Sequence, residues 1–138
     1  MSVEQNTRLL LQAAERVRKD YCLENTIQIT QTGPREIEFR VVPGDTPITQ
    51  FSISYLPGCR HVVVFHKVSV EPMHRNQGYG KTFHKFRLAV AREFKAKTAI
   101  CTMLKGNSIE QKILEGFGWK PSVVMSTPGV ILWTKVIE

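Results

Sequence analysis

Residues 75–81, Arg75-Asn76-Gln77-Gly78-Tyr79-Gly80-Lys81, place two glycines between two cations, a pattern suited to holding phosphate. An apolar run, residues 62–70, leads into them through Glu71 and Pro72, and a helical pattern begins at Lys81. A strand that ends in a glycine-bearing loop and opens a helix presents unpaired N–H groups to an anion, and the helix dipole adds positive potential there. Gly78 and Gly80 remove side chains where a pyrophosphate must approach the backbone. Arg75 and Lys81 add formal charge. Two familiar phosphate loops do not fit. Gly80-Lys81-Thr82 matches the end of the P-loop pattern, but its first glycine falls on Arg75. A dinucleotide G-x-G-x-x-G pattern begun at Gly78 meets Phe83 at its last position.

What remains is Arg-x-x-Gly-x-Gly after a strand ending Val70-Glu71-Pro72, and this resembles the acetyl-CoA loop of the GNAT N-acetyltransferase superfamily. Downstream, residues 97–104 read as a short apolar strand. Residues 107–119, from Asn107 to the ending Gly116-Phe117-Gly118-Trp119, are similar to that family's second cofactor-side helix and its Gly-aromatic close. The resemblance covers residues 62–119 in order and spacing.

The resemblance implies an α/β fold with a mixed, mostly antiparallel central sheet, one splayed parallel strand pair and flanking helices. It implies acetyl-CoA as cofactor and transfer of the acetyl group to an amine by direct attack. Arg75, Asn76, Gln77, Gly78, Tyr79, Gly80 and Lys81 are then the pyrophosphate loop. The main chain at Val68 and Val70 pairs with the thioester arm as an added strand, and an N–H near Val68 stabilises the developing oxyanion. Asn107 meets the pantetheine arm, although asparagine at a helix start is also a favoured N-cap. Many family members carry a tyrosine seven residues after this asparagine to protonate the leaving thiolate; here that position is Leu114. The family also tends to begin with a strand and two helices that shape the acceptor pocket, whereas one early helix is evident here. The acceptor therefore stays open among a small amine, a protein amine and an aminoacyl-tRNA.

A base has one candidate. Strand alternation sets Val64, His66, Val68 and Val70 on one face, and imidazole, with a reference pKa near 6.5, suits proton removal from an ammonium. A bulge in this strand would change the facing. Glu71 has the opposite parity and reads as a loop anchor. Ser69, Cys101 and Thr102 are candidates for pocket lining, and no spacing argues for a covalent nucleophile.

These residues need elements to hold them. Residues 3–20 form an amphipathic helix pattern through Leu9, Leu10, Ala13 and Val17. Strand-like runs follow at 26–32, 36–42 and 48–56, parted by Gly33-Pro34 and Pro43-Gly44-Asp45. Pro57-Gly58 breaks the chain before the long strand. Phe83, Phe86, Val90 and Phe94 mark the apolar stripe of the helix over residues 81–95, with Lys81, Lys85, Arg92 and Lys95 outside. Runs at 122–126 and 130–136 flank Thr127-Pro128-Gly129 as a terminal hairpin.

Composition bounds the rest. At 138 residues and 42% hydrophobic content, residues 1–138 read as a single domain with material for a core. No apolar run approaches the roughly 20 residues that span a bilayer, and no signal peptide is visible, so no membrane partner is expected. Cys22, Cys59 and Cys101 are odd in number and widely spaced, which argues against disulfides and zinc and for a cytoplasmic setting. Residues 75–97 hold seven Lys/Arg against Glu93 alone, so +6 of the net +7 sits there. A polyanionic cofactor explains part of that excess, and nucleic acid is a further partner that the basic surface allows. Exposed strand edges are compatible with a homodimer. Two alternatives stand beside the enzyme: a CoA-binding module of weakened catalysis, and a nucleic-acid or protein-binding domain.

Overall fold

The computed structural model describes residues 2–20, 27–41, 49–70 and 79–138; residues 49, 67–70, 79–80 and 123–125 are described by backbone alone. Helix α1, Val3–Asp20, starts on a reciprocal cap. The Gln5 N–H donates to Ser2 Oγ at 3.1 Å, and the Ser2 N–H donates to Gln5 Oε1 at 2.8 Å. Two donors that a helix start leaves open are thereby satisfied. Four strands follow: β1 Ile27–Gly33, β2 Glu36–Val41, β3 Thr49–Leu56 and β4 Cys59–Val70. Then come α2 Tyr79–Glu93, β5 Thr98–Leu104, α3 Ser108–Gly116, β6 Lys120–Thr127 and β7 Val130–Val136.

Among the described residues, seven strands form one sheet in the order β1-β2-β3-β4-β5-β7-β6. Among the described pairings, β4 with β5 is parallel and the others are antiparallel. The element order is the one expected from the sequence, and several boundaries move. Strand β4 begins at Cys59, three residues before the apolar run, because Gly58 adopts φ +73° and turns Leu56 onto Cys59. Helix α2 starts at Tyr79, inside the glycine loop.

Period-two alternation decides which face is core. Ile37, Phe39, Phe51, Ile53, Tyr55, Val63 and Phe65 are buried on the side that meets the helices. Phe86 of α2 stands edge-on to Phe39 at 5.1 Å, Phe83 tilts over Phe51 at 5.2 Å, and Phe94 reaches Tyr55 at 5.8 Å. Helix α1 joins the same side: Thr7 Oγ1 donates to Pro34 O at 2.6 Å, and the Tyr55 hydroxyl donates to Val3 O at 3.0 Å. Phe39, Phe51, Phe83, Phe86 and Phe94, all at most 3% exposed, make an aromatic floor beneath the site. The alternate positions Glu36, Ser54, Val64 and His66 lie on the other face, only partly covered.

Candidate active site

Among the described residues, strands β4 and β5 pair at three positions: Val62 with Thr98, Val63 with Ala99 and Val64 with Ile100. Beyond Val64, β4 runs on to Val70 and β5 to Leu104 with no further pairing to each other among the described residues. The parallel pair therefore opens into a fork, as the sequence reading expected. A cleft of about 200 Å³ lies there, bordered by Phe65 and His66 of β4, His84 and Arg87 of α2, Cys101 of β5, and Asn107 and Glu110 at the start of α3.

Strand β4 also loses register on its other side. Ser52 pairs with His66 and Gln50 pairs with Ser69, so Lys67 and Val68 together oppose Phe51. This is a β-bulge, which unpairs backbone and bends the strand. Val68 sits in it, and Val70 pairs with Thr49. Tyr79 and Gly80 are the first residues of α2, with Lys81 exposed in its first turn and no acidic residue there. A cation in the first turn opposes the helix dipole unless an anion joins it. Arg75, Asn76, Gln77 and Gly78 lie outside the described residues, as do Glu71 and Cys22.

The His66 side chain is held from the polar face of the sheet. Its Nε2 lies 2.7 Å from Ser54 Oγ and 3.9 Å from Glu36 Oε2, with 40% of the side chain exposed. A histidine so placed has a hydroxyl, a carboxylate and water within reach. Asn107 is the N-cap of α3, its Oδ1 accepting from the Glu110 N–H at 3.2 Å. The capping reading of that residue is therefore met directly. Leu114 is fully buried, so α3 turns this position into the core and away from solvent.

Two buried polar residues on α2 escaped the sequence reading. Arg87 counts toward the basic segment by composition, yet it is 3% exposed and does not belong to the basic surface. Its Nη1 donates to the His66 carbonyl at 2.8 Å and to the Ser52 carbonyl at 3.4 Å. The guanidinium lies over the Phe65 ring at 4.6 Å, and its Nε has no hydrogen-bond partner among the described residues. Burial lowers its pKa to about 10 while Glu110 opposes the fall, so it remains a cation at neutral pH.

His84, 2% exposed, accepts a hydrogen bond at Nε2 from the Trp119 indole at 2.8 Å. Indole only donates, so the ring proton of His84 sits on Nδ1. Burial, then the charges of Arg87 and Lys135, push its pKa down to about 3. It is a neutral scaffold residue and no general base. The spacing held the signal for both: His84 lies seven residues before Ala91, and Arg87 lies four after Phe83 and three before Val90, all within the apolar stripe. Burial also pushes the Cys101 thiol up to about 12, which removes it as a nucleophile at neutral pH. The Glu110 carboxyl is raised by burial and lowered by Arg87, with burial the larger effect.

No protein-family model matches the chain, and no curated relative matches it. Solved structures do match. The GNAT domain of PAT from S. lividans superposes with a TM-score of 0.65 at 15% identity over 74% of this chain, which spans 61% of that one. Nourseothricin acetyltransferase gives 0.60 at 15% identity, over 82% of this chain and 84% of its own. A GNAT family acetyltransferase from Elizabethkingia anophelis with acetyl-CoA bound gives 0.65 at 12% identity, over 80% and 97%. The fold of this chain is the GNAT fold.

Proposed function

We propose that the protein is an acetyl-CoA-dependent N-acetyltransferase that passes the acetyl group directly to an amine. The observation that carries the reading is the fork: β4 and β5 part after Val64 and Ile100, directly upstream of the Arg-x-x-Gly-x-Gly loop. Unpaired strand edges inside a fork are sites for an extended, amide-bearing ligand. The fold similarity to a relative holding acetyl-CoA supports the same ligand.

Acetyl-CoA supplies the activated acyl group as a thioester, and the rest falls to the chain. The amides of residues 75–81, with Arg75 and Lys81, hold the pyrophosphate. The backbone of Val68 and Val70 aligns the thioester arm, and Asn107 flanks it. An N–H in the Lys67–Val68 bulge donates to the acyl oxygen as it gains charge. His66, oriented by Ser54, takes a proton from the acceptor ammonium, directly or through one water. The free amine then attacks the thioester carbon, the C–S bond breaks, and CoA leaves as a thiolate that takes its proton from solvent. The acceptor class stays among small amines, protein amines and aminoacyl-tRNA. A cytoplasmic setting fits the exposed free thiol of Cys59. Among the described residues no helix is long and apolar enough to cross a membrane.

One observation favours a second reading, a CoA-binding module of weakened catalysis that acts through protein or nucleic acid: Leu114 is buried where a tyrosine acid would otherwise stand. Thiol release from acetyl-CoA, followed across amines, peptides and aminoacyl-tRNA, separates the two. The enzyme reading expects release that depends on one acceptor class and falls about 100-fold in H66Q with unchanged acetyl-CoA affinity. Acetyl-CoA binding with no release for any acceptor supports the module.

A further inference from the structure

Helix α2 sends one cation into the core, and the place it reaches is specific. Ser52 and His66 face each other across β3 and β4 as the last pair before the bulge. They also lie past the last β4–β5 pair at Val64. Here β4 loses register with β3 and has left β5. Arg87 enters at this point: its Nη1 reaches the His66 carbonyl at 2.8 Å and the Ser52 carbonyl at 3.4 Å. Its Cζ lies over the Phe65 ring at 4.6 Å and the Phe51 ring at 5.5 Å, which confines the guanidinium between aromatic neighbours. The His66 carbonyl and the Lys67 N–H belong to one planar peptide group. Pinning the oxygen therefore sets where that N–H aims and how the bulge begins.

We infer that Arg87 is a positioning residue for acyl transfer, whose bond to the His66 carbonyl holds the His66–Lys67 peptide so that the N–H groups of the Lys67–Val68 bulge face the acyl oxygen. The inference rests on the acyltransferase reading above. His66 is thereby gripped twice, by Arg87 at its carbonyl and by Ser54 at its ring. Arg87 acts through this backbone, and its effect belongs on turnover more than on donor affinity. A guanidinium serving the core alone could be exchanged for an apolar residue of similar length with turnover retained. Lysine keeps the charge and a donor but not the planar stack, so it should restore part of the function.

The test compares R87M, R87K and the double variant R87M/E110Q, which removes the carboxylate that Arg87 faces electrostatically. Backbone amide exchange is read by NMR, acetyl-CoA affinity by calorimetry, and kcat and KM by thiol release. In folded R87M, exchange at His66 and Ser69, the paired residues that flank the bulge, should accelerate about tenfold while Val63 and Phe65 stay protected. Turnover should fall about 30-fold with donor affinity within about threefold of wild type. R87K should recover part of the turnover. Unchanged exchange at His66 and Ser69, retained turnover, or a loss confined to KM would each overturn the inference. If R87M and the double variant do not fold, R87K decides by the same criteria. Exchange needs no substrate: if the wild type releases no thiol with any acceptor, the acyltransferase reading fails, and the exchange result still decides whether Arg87 sets the bulge.

Discussion

His84 and His66 differ by environment, not by type. His84 gives its Nε2 lone pair to Trp119 and is 2% exposed, whereas the His66 side chain keeps 40% of its surface in water. The folded pKa of His84 is depressed from 6.5 to about 3, so the unfolded chain takes up its proton first on acidification. The stability tied to this group is complete above pH 6.5 and drains as pH falls toward 3, a loss of about 4 kcal/mol. Glu110 runs the other way. Its folded pKa is raised, so its contribution is complete below 4.5 and is lost as pH rises through the folded value. His84 carries the larger buried effect and steepens the acid limb. The variant H84Q keeps an acceptor for Trp119 and cannot titrate. Chemical denaturation across pH 3–7 should show a flatter acid limb in H84Q; equal slopes in both proteins would refute the assignment. The shared face of Val64 and His66 was readable from strand parity. The inertness of His84 was not, because it depends on Trp119, which is 35 residues away.

At the scale of elements, α2 was the most legible and also the most misleading. Its aromatic stripe identifies the core face, and Phe83, Phe86 and Phe94 land there. The same stripe contains His84 and Arg87, whose polar types disguise positions that the 3.6-residue period marks as buried. Strand β4 shows a different limit. Alternation gives its faces, but the bulge depends on how β3 pairs with it, and one strand read alone cannot fix its partner's register. The start of α1 was legible and unread: Ser2 and Gln5 are a capping box in sequence and in structure. Helix α3 yields a prediction of its own. Leu114 is fully buried, so restoring a tyrosine there overfills the core and brings no acid to the cleft. We expect L114Y to lose roughly 1–3 kcal/mol in denaturant unfolding with no gain in thiol-release turnover. A stable L114Y with faster turnover would contradict this placement of α3.

For the whole molecule, the order of elements followed from turn signals and two hydrophobic periods, and the sheet order β1-β2-β3-β4-β5-β7-β6 completes it. Charge was legible in amount and only partly in place. Lys81, Lys85, Arg92, Lys95 and Lys97 are exposed, while Arg87 is in the core. Their net positive field suits a polyanion near the start of α2. If nucleic acid were the partner, its affinity would fall steeply with added salt. The reading that unites fork, loop and helix is a CoA site, and calorimetry of acetyl-CoA at moderate salt tests it most directly, on the native chain and on Gly78→Glu. A carboxylate in the loop should repel the pyrophosphate and block its approach to the backbone. The CoA site predicts binding to the native chain and none to Gly78→Glu; no binding to the native chain, or equal binding to both, would contradict it.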